Sequence, residues 1–293
     1  MAAASTPGSG AGGRLFIVAT PIGNLGDVTL RALDVLRSVP LVAAEDTRHS
    51  RRLLAPHGIT THLVSFHARN TAARLPELIA HLRGGADLAL ITDAGTPGVS
   101  DPGEDLVRAW AAEGGTVVPI PGASAVLAAV VASAIAGPRW SFEGFLPRSG
   151  RERKERLTRI AADERASVLY EAPGRVAATL LDLAAACGSG RPGAVCRELT
   201  KLHESIVRGS LGNLAELARS GEIPARGEFA LVVGAGRGSG SAPGAVAGAD
   251  AEAAARAEVE RLVASGVARG DAARRVADSS GINRRKLYGI TGD

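Results

Sequence analysis

Two segments of the chain combine glycine, proline and aspartate in a way that lets a backbone approach a ligand closely. They are TPIGNLGD at residues 20–27 and DAGTPGVSDPG at 93–103. Each follows a short apolar run typical of a buried strand, and ligands of parallel sheets bind beyond the carboxyl ends of the strands. We therefore predict that both segments line one binding cleft. Neither has the G-x-G-x-x-G pattern or the P-loop lysine, which argues against the corresponding dinucleotide and nucleoside triphosphate sites.

The elements that would position these segments alternate along the first half of the chain. From residue 15, short β-branched runs are followed by longer helical patterns, which predicts βαβ units and a mostly parallel sheet covered on both faces. We expect Asp27 to cap the first of these helices, because its carboxylate can accept hydrogen bonds from the amide groups of the first turn.

A second set of strands begins near Trp140. The runs SFEGFL, SVLYE, AVCREL, ESIVRGS and EFALVV are typical of strands, and helices are expected from about residues 151, 174 and 211. AVCREL and ESIVRGS lie too close together for an intervening helix, which predicts a hairpin in a mixed sheet. The chain should therefore form two α/β lobes, at residues 14–137 and 138–234.

The composition changes outside these lobes. Residues 1–13 have no basic or long apolar run and are predicted to be a flexible leader, and the Gly/Ser/Pro-rich residues 235–250 a linker. Residues 251–293 should form short helices at about 251–264, 271–278 and from 283, separated by glycine-containing breaks. Such a pattern resembles a helix-turn-helix. The alternative is a small packing appendage or a dimer contact.

Charge is distributed unevenly. The chain has 293 residues and a formal net charge of +4, with 31 arginines and only three lysines. The stretches 148–159 and 269–286 each hold six basic and two acidic residues, and the remainder is net negative. Local surpluses of this kind are expected where a polyanion is bound, although solvated arginine-rich helix faces would look the same.

Cysteine content and hydropathy limit the class of protein. With 45% hydrophobic residues the chain can bury an aliphatic core, which excludes wholesale disorder. The two cysteines, Cys187 and Cys196, form no metal-ligand or disulfide pattern, and the apolar run 123–136 is shorter than a bilayer span. We expect a cytoplasmic protein that contacts no membrane and holds no metal.

Eight motifs occur in an order that resembles a known family. They are LFIVATPIGNLGDVTLRAL, AAEDTRHSRRLL, DAGTPGVSDPG, PIPGASA, EGFLPR, YEAPGR, RELTKLHE and GEFALVV. Over about residues 15–233 the chain resembles the tetrapyrrole methylase superfamily, and EDTRH and RELTK point to its branch that methylates 16S ribosomal RNA. The resemblance implies a two-lobed class III methyltransferase fold with a small C-terminal helical domain. It also implies S-adenosylmethionine as cofactor, a 2′-O-methylated cytidine of the decoding region as product, and a homodimer.

The resemblance also implies positions for the cofactor. The two Gly/Pro-rich loops, the PGAS turn and two strands of the second lobe match the family's cofactor-binding segments. The matching residues are Pro21, Ile22, Gly23, Asp93, Ala94, Gly95, Thr96, Asp101, Ser124, Ala125, Tyr170, Glu171 and Ala230.

A ribose hydroxyl is a poor nucleophile while it is protonated, so a nearby proton acceptor would assist its methylation. Candidates are Glu45, Asp46, His67 and Glu171. The two acidic residues of EDTRH could instead form structural ion pairs with nearby arginines, and a single histidine is often only a hydrogen-bonding residue.

An RNA substrate would be held by cationic side chains flanking the cleft. The candidates are Arg48, Arg51, Arg52, Arg148, Arg151, Arg153, Lys154, Arg284, Arg285 and Lys286. Two rival functions remain open at this point: a methylase acting on a tetrapyrrole, and a non-catalytic ribosome-assembly factor that retains the fold.

Overall fold

The computed structural model describes residues 12–236, 249–280, 282 and 287. The chain divides into two compact units, the first ending at Gly236 and the second beginning at Arg237. Parts of three predicted features lie outside the described residues: the leader up to residue 11, residues 237–248 of the linker, and the last helix expected from residue 283.

The first sheet holds five strands, all parallel, in the order β3-β2-β4-β1-β5. Its strands are β1 (Arg14–Val18), β2 (Leu41–Ala44), β3 (His62–Ser65), β4 (Leu88–Ile91) and β5 (Thr116–Ile120). The intervening helices are α1 (Leu30–Ser38), α2 (Thr47–Leu54), α3 (Thr71–Arg83) and α4 (Glu104–Ala112), and α5 (Ala125–Ser133) follows β5. The prediction of βαβ units and a parallel sheet is confirmed.

Two separate hydrophobic clusters cover the two faces of this sheet, as expected where crossover helices pack on both sides. One cluster includes Leu36 of α1 and Val42 of β2, and the other includes Leu82 of α3 and Trp110 of α4.

The predicted cap of the first helix is wrong. Helix α1 begins at Leu30, and the Thr29 hydroxyl accepts the hydrogen bond from the Ala32 amide at 3.1 Å. Asp27 instead lies in a 3₁₀ turn, Leu25–Asp27, that is capped by Asn24. The turn places the cap and the helix start two residues later than the sequence suggested.

The second sheet also holds five strands, in the order β6-β7-β10-β8-β9. Its strands are β6 (Trp140–Phe145), β7 (Ala166–Glu171), β8 (Pro192–Arg197), β9 (Ser205–Ser210) and β10 (Phe229–Val233). Only β6 and β7 pair in parallel, and β8 and β9 form the predicted antiparallel hairpin. The helices are α6 (Gly150–Ala162), α7 (Val176–Cys187) and α8 (Leu211–Ser220).

Helix α5 joins the two lobes. Its Val126 and Ala129 share one apolar cluster with Ile22 of the first lobe and with Val168 and Val232 of the second sheet. Helices α6, α7 and α8 belong to a different cluster of the second lobe. The two lobes therefore meet through a common core.

The second unit contains α9 (Ala249–Ala264) and α10 (Arg269–Ser280), joined by a short turn in which Gly266 has φ of 93°. Val259 and Val276 lie in its own small apolar core. Exposed ion pairs on the described parts of these helices include Arg261 with Glu258, Arg269 with Glu260 and Arg274 with Asp271.

Candidate functional site

The two Gly/Pro-rich loops are joined at the carboxyl edge of the first sheet. They follow β1 and β4, which are neighbouring strands. Thr20 and Gly95 exchange two backbone hydrogen bonds, of 2.8 and 3.0 Å, and the Thr20 hydroxyl donates to the Thr92 carbonyl oxygen at 3.0 Å. The two loops therefore form one surface, as predicted from the parallel sheet.

A second set of contacts fixes Asp93 at the start of its loop. The Asp93 amide donates to Oε2 of Glu45 at 3.2 Å, and Oδ1 of Asp93 accepts from the Asp46 amide at 3.2 Å. Glu45 and Asp46 directly follow β2, which pairs with β4. These reciprocal bonds hold the ends of β2 and β4 together.

A cavity of about 440 Å³ lies between these loops and the second lobe. Of the thirteen residues predicted to contact the cofactor, all but Pro21 and Gly23 line it. Pro21 is buried, and Gly23 lies against the side chain of Lys201 instead. The lining includes Ile22, Glu45, Asp93, Ala94, Gly95, Thr96, Val99, Ser100, Asp101, Ser124, Ala125, Phe145, Tyr170, Glu171, Ala172, Pro173, Cys196, Leu199, Gly227, Glu228, Phe229 and Ala230.

The second-lobe wall is organised by strand register. Ala230 of β10 pairs with Tyr170 of β7 on one side and with Cys196 of β8 on the other. The three residues thus form a row across the sheet, and all three line the cavity. Sequence reasoning missed Cys196, because only the register of β8 against β10 reveals it.

Other lining residues that sequence reasoning missed lie in recognisable motifs. Leu199 belongs to RELTK, Gly227 and Phe229 belong to GEFALVV, and Phe145 belongs to EGFLPR. The motifs therefore contain segments that line the cavity, but they did not indicate which side chains face inward.

Three cavity carboxylates have no cationic partner among the described residues. They are Glu45, Asp93 and Asp101. Partial burial of Asp101, together with repulsion from the other two, raises its pKa to about 6 despite a hydrogen bond from Thr92. The cavity therefore concentrates negative charge that no ion pair among the described residues compensates.

Two other titratable groups in the wall stay protonated at neutral pH. Burial, followed by the proximity of Asp101, raises the pKa of Tyr170 to about 12. Burial raises the pKa of the Cys196 thiol to about 11. Tyr170 also packs against Phe142 and Phe145, at ring distances of 5.0 and 5.6 Å. This part of the wall is aromatic and uncharged.

Glu171 differs from the other acidic residues of the cavity. It is 2% exposed, accepts from the Thr179 hydroxyl at 2.6 Å and forms an ion pair with Arg175 at 3.2 Å. Its charge is therefore compensated inside the second lobe, which is typical of a structural carboxylate.

The structure places the predicted proton acceptors in different environments, and not all of them lie at the cavity. Of the three candidates from the first lobe, only Glu45 lines the cavity. Asp46 caps α2 and pairs with Arg48 at 2.8 Å, and hydrogen bonds from Arg48 hold its pKa well below the usual range. The Nδ1 atom of His67 accepts from the Arg69 amide at 3.2 Å, and His67 does not line the cavity.

Most of the predicted RNA-contacting side chains that the structure describes are exposed. Arg48, Arg51 and Arg52 lie on α2, directly after the Glu45 edge of the cavity. Arg148, Arg151 and Lys154 are exposed at the start of α6, where Arg151 pairs with Glu155. The remaining candidates of the tail, Arg284, Arg285 and Lys286, lie outside the described residues.

The prediction for Arg153 is wrong. Its side chain is 9% exposed and is bound to Asp182 at 2.7 Å, to the Thr179 hydroxyl at 3.0 Å and to the Pro147 carbonyl oxygen at 2.9 Å. With its hydrogen-bonding groups used inside the second lobe, the guanidinium cannot contact a phosphate. The helical spacing turns Arg153 inward while Arg151 and Lys154 face solvent.

Among the described residues, no group of three or more His, Cys, Asp or Glu side chains is arranged to hold a metal ion. None of the helices in the described part of the chain is long and apolar enough to cross a bilayer.

Comparison with known proteins identifies relatives over nearly the full length of the chain. Residues 14–215 match the family model described as tetrapyrrole (corrin/porphyrin) methylases. A ribosomal RNA small subunit methyltransferase I from Synechocystis is 45% identical over 279 residues, covering 95% of this chain and 97% of the relative. A protein of the same name from Xylella fastidiosa is 43% identical over 285 residues, covering 97% and 99%.

Solved structures share the fold of the first unit. A uroporphyrin-III C-methyltransferase from Thermus thermophilus, complexed with S-adenosylhomocysteine, aligns with a TM-score of 0.55 at 19% identity. The alignment covers 76% of this chain and 97% of that protein. The likeness shows a two-sheet α/β fold, followed in this chain by the C-terminal helices.

Proposed function

We propose a specific reaction for this chain, which belongs to the ribosomal RNA small subunit methyltransferase I family within the tetrapyrrole methylases. The reaction is S-adenosylmethionine-dependent methylation of a cytidine 2′-hydroxyl in the decoding region of 16S ribosomal RNA. The observation that carries the proposal is the inter-lobe cavity, whose three uncompensated carboxylates and apolar walls suit a cationic nucleoside cofactor. Such a substrate would place the protein in the cytoplasm, where ribosomes are assembled.

The residues of the cavity fit S-adenosylmethionine chemically. Glu45, Asp93 and Asp101 offer negative charge to a sulfonium, and Ala94, Ala125 and Ala230 leave flat apolar space for an adenine. When bound, the cofactor supplies an electrophilic methyl group on a good leaving group. The protein's contribution is then largely the positioning of the two reactants and the exclusion of water.

We assign the proton acceptor to Glu45. Its carboxylate lies at the carboxyl end of β2, lines the cavity and is followed directly by the arginines of α2 that would hold an RNA strand. The E45Q variant keeps an oxygen that can accept from the Asp93 amide but cannot take a proton. We expect it to bind S-adenosylmethionine several-fold more weakly, because one of the three carboxylates loses its charge, and to lose about 10²-fold or more in kcat at saturating cofactor, the usual range for a positioned acid or base. Normal turnover by E45Q would refute this assignment.

Incubation of the protein with methyl-labelled S-adenosylmethionine and small ribosomal subunits tests the function itself. Label in the ribose of one 16S ribosomal RNA cytidine is the expected result. Label only in an added tetrapyrrole would favour the small-molecule methylase, and no transfer would favour an assembly factor without catalysis. The relatives' names and the exposed arginines beside the cavity favour the RNA substrate.

We further propose that the protein forms a homodimer through α5. This helix is apolar around its whole circumference, and Leu127 and Val131 are 54% and 79% exposed on the side away from the shared core. A second copy would cover this face. The L127E/V131E variant should elute and scatter light as a monomer, whereas L181E, an exposed leucine on α7, should not change the mass. A wild-type monomer would refute the proposal.

A further inference from the structure

The turn between β8 and β9 carries unusual backbone strain. Glu198 and Thr200 adopt φ of 53° and 68°, in the left-handed region that non-glycine residues rarely occupy. The hydroxyl oxygen of Thr200 is also buried without a hydrogen-bond partner. Each of these features is unfavourable, so other contacts must stabilise the turn.

Those contacts come from a cluster of three side chains, Glu198, Lys201 and Glu228, which we call the Lys201 cluster. Nζ of Lys201 lies 2.9 Å from Oε1 of Glu198 and 3.0 Å from Oε2 of Glu228. Oε1 of Glu198 also accepts from the Glu228 amide at 2.9 Å, and the Glu198 amide donates to the Glu228 carbonyl oxygen at 2.9 Å. The turn is thereby tied to the segment before β10.

Both tied segments form part of the cavity wall. Leu199 lies inside the strained turn, and Gly227 and Glu228 lie in the segment bound to it. A Cβ atom on Gly227 would fall 2.6 Å from Cγ and Cδ of Glu198, so only glycine allows this approach.

The same cluster reaches the other lobe. A Cβ atom on Gly23 would fall 2.3 Å from Cγ and 2.7 Å from Cε of Lys201, so the lysine's methylene chain lies directly on the Gly23 backbone. Gly23 follows Ile22, which lines the cavity from the first lobe. Lys201 therefore contacts the first loop with its stem and holds the second-lobe wall with its ammonium group.

We infer that Lys201 is a positioning residue that fixes the first loop against the second-lobe wall, and so sets the shape of the cavity for the cofactor. The inference rests on the proposed function, because it assumes that this cavity binds S-adenosylmethionine. An exposed lysine–glutamate pair would contribute little. Lys201 differs, since its side chain is only 25% exposed and it shares its ammonium between two carboxylates.

The charge of Lys201 is maintained in this setting. Partial burial alone would lower the pKa of Lys201, but hydrogen bonds to Glu198 and Glu228 raise it above the ordinary value. The cluster therefore stays intact across the pH range in which the enzyme would work.

Three substitutions of Lys201 separate its stem from its charge. K201A removes both, K201M keeps most of the stem, and K201R keeps a cation. We expect the Kd for S-adenosylmethionine, measured by calorimetry, to rise about tenfold in K201A, as for loss of a charge-assisted hydrogen bond. The Kd should rise by a smaller factor in K201M, and in K201R it should be close to the wild-type value. The KM for the cofactor should rise in parallel, with a smaller change in kcat.

A matched control breaks a different ion pair. Arg83 and Glu113 form an exposed pair in the first lobe, and neither residue lines the cavity. R83M should leave the Kd unchanged. If K201A lowers Tm but binds S-adenosylmethionine with wild-type affinity, Lys201 is only structural and the inference is overturned. If the wild-type protein does not bind S-adenosylmethionine in the same assay, the proposed function itself fails.

A double-mutant cycle tests the contact between the lobes. G23A should weaken cofactor binding, because its methyl group would collide with the Lys201 stem. In G23A/K201A that collision is removed, so the combined loss of affinity should be smaller than the product of the separate losses. Independent effects of the two substitutions would show that the stem does not position the loop.

Discussion

The two lobes contribute to one cavity in different ways. The first lobe uses loops at the ends of parallel strands, where backbone groups and the carboxylates Asp93 and Asp101 face the ligand space. The second lobe uses the face of a mixed sheet, where side chains from the antiparallel strands β7, β10 and β8 form a wall. The first lobe is therefore sensitive to backbone conformation, and the second to the volume of single side chains.

The largest effect is expected from a substitution in the first-lobe loop. Gly95 has φ of 76°, and a Cβ atom there would lie 3.5 Å from Cγ2 of Ile22. G95W should weaken S-adenosylmethionine binding at least about 100-fold, because its side chain would occupy the cavity beside a strained backbone. Calorimetric titration measures the loss, and far-UV circular dichroism checks the fold.

Gly98 provides the control in the same loop. Its φ is 81°, but a Cβ atom there would meet nothing within 4 Å, and Gly98 does not line the cavity. G98W carries a similar backbone cost and should bind the cofactor far better than G95W. Equal losses would mean that backbone strain, and not occupation of the cavity, explains the effect.

A smaller effect is expected in the second-lobe wall. Ala230 is 3% exposed and lines the cavity in the middle of the residue row. A230L should raise the Kd for S-adenosylmethionine about tenfold, since the added carbons occupy ligand space and overpacking typically costs about 1–3 kcal/mol. A185L, at an exposed position on α7, should bind normally. Unchanged affinity in A230L would remove β10 from the cofactor wall.

Asp101 offers a test through pH. Its pKa is raised to about 6, so in the free protein it becomes neutral as the pH falls below that value. We expect wild-type affinity for S-adenosylmethionine to decrease several-fold between pH 7 and pH 5, whereas affinity for S-adenosylhomocysteine, which lacks the sulfonium charge, changes less. The D101N variant has no carboxylate to protonate at this position, so this part of the decrease in affinity should be absent. Its affinity for S-adenosylmethionine at pH 7 should already be lower than that of the wild-type protein.

Protonation of Asp101 should weaken cofactor binding but stabilise the ligand-free protein. Because the folded-state pKa lies above the ordinary value, the native state binds the proton more tightly and loses stability as the pH rises from about 4 through 6. D101N should therefore raise the Tm of the ligand-free protein at pH 7.5 by a few degrees, as about 1 kcal/mol shifts Tm by about 2–4 °C in a domain of this size. The gain should disappear near pH 4. A lower Tm for D101N at pH 7.5 would contradict this account.

The smallest effect is expected on the rim. Arg51 and Arg52 are exposed on α2, and no ion pair to either occurs within the described part of the chain. R51E/R52E should reduce affinity for a 16S ribosomal RNA fragment several-fold at low salt and lower the slope of log K against log salt, with cofactor binding unchanged. R219E, on α8, serves as the control. An unchanged salt slope would exclude α2 from the RNA interface.

The sequence was informative where function depends on short continuous segments. The loops at 20–27 and 93–103 were recognisable because glycine, proline and aspartate are concentrated after buried strands, and the structure brings both loops to one edge. The hairpin of β8 and β9 followed from the short distance between two strand patterns.

Features that depend on contacts distant in sequence could not be predicted. Cys196 reaches the cavity through its register with Ala230, and Arg153 turns inward because Asp182 and Thr179 of α7 lie beside it. Asp27 was the predicted cap of α1, but Thr29 is the observed one, because Asp27 lies in a 3₁₀ turn before the helix. Both residue types are suitable caps. In each case the residue type was compatible with two environments, and packing selected one.

The common core around α5 has a consequence for how ligands would exchange. Hinging the lobes apart would expose Val126 and Ala129 to water, at about 25 cal/mol for each Å² of apolar surface. If the lobes stay together during turnover, the demethylated cofactor must leave through the open side of the cavity. This path passes the exposed residues Val99 and Ser100 at the border of the cleft. Cross-linking the lobes should then leave product release as fast as before.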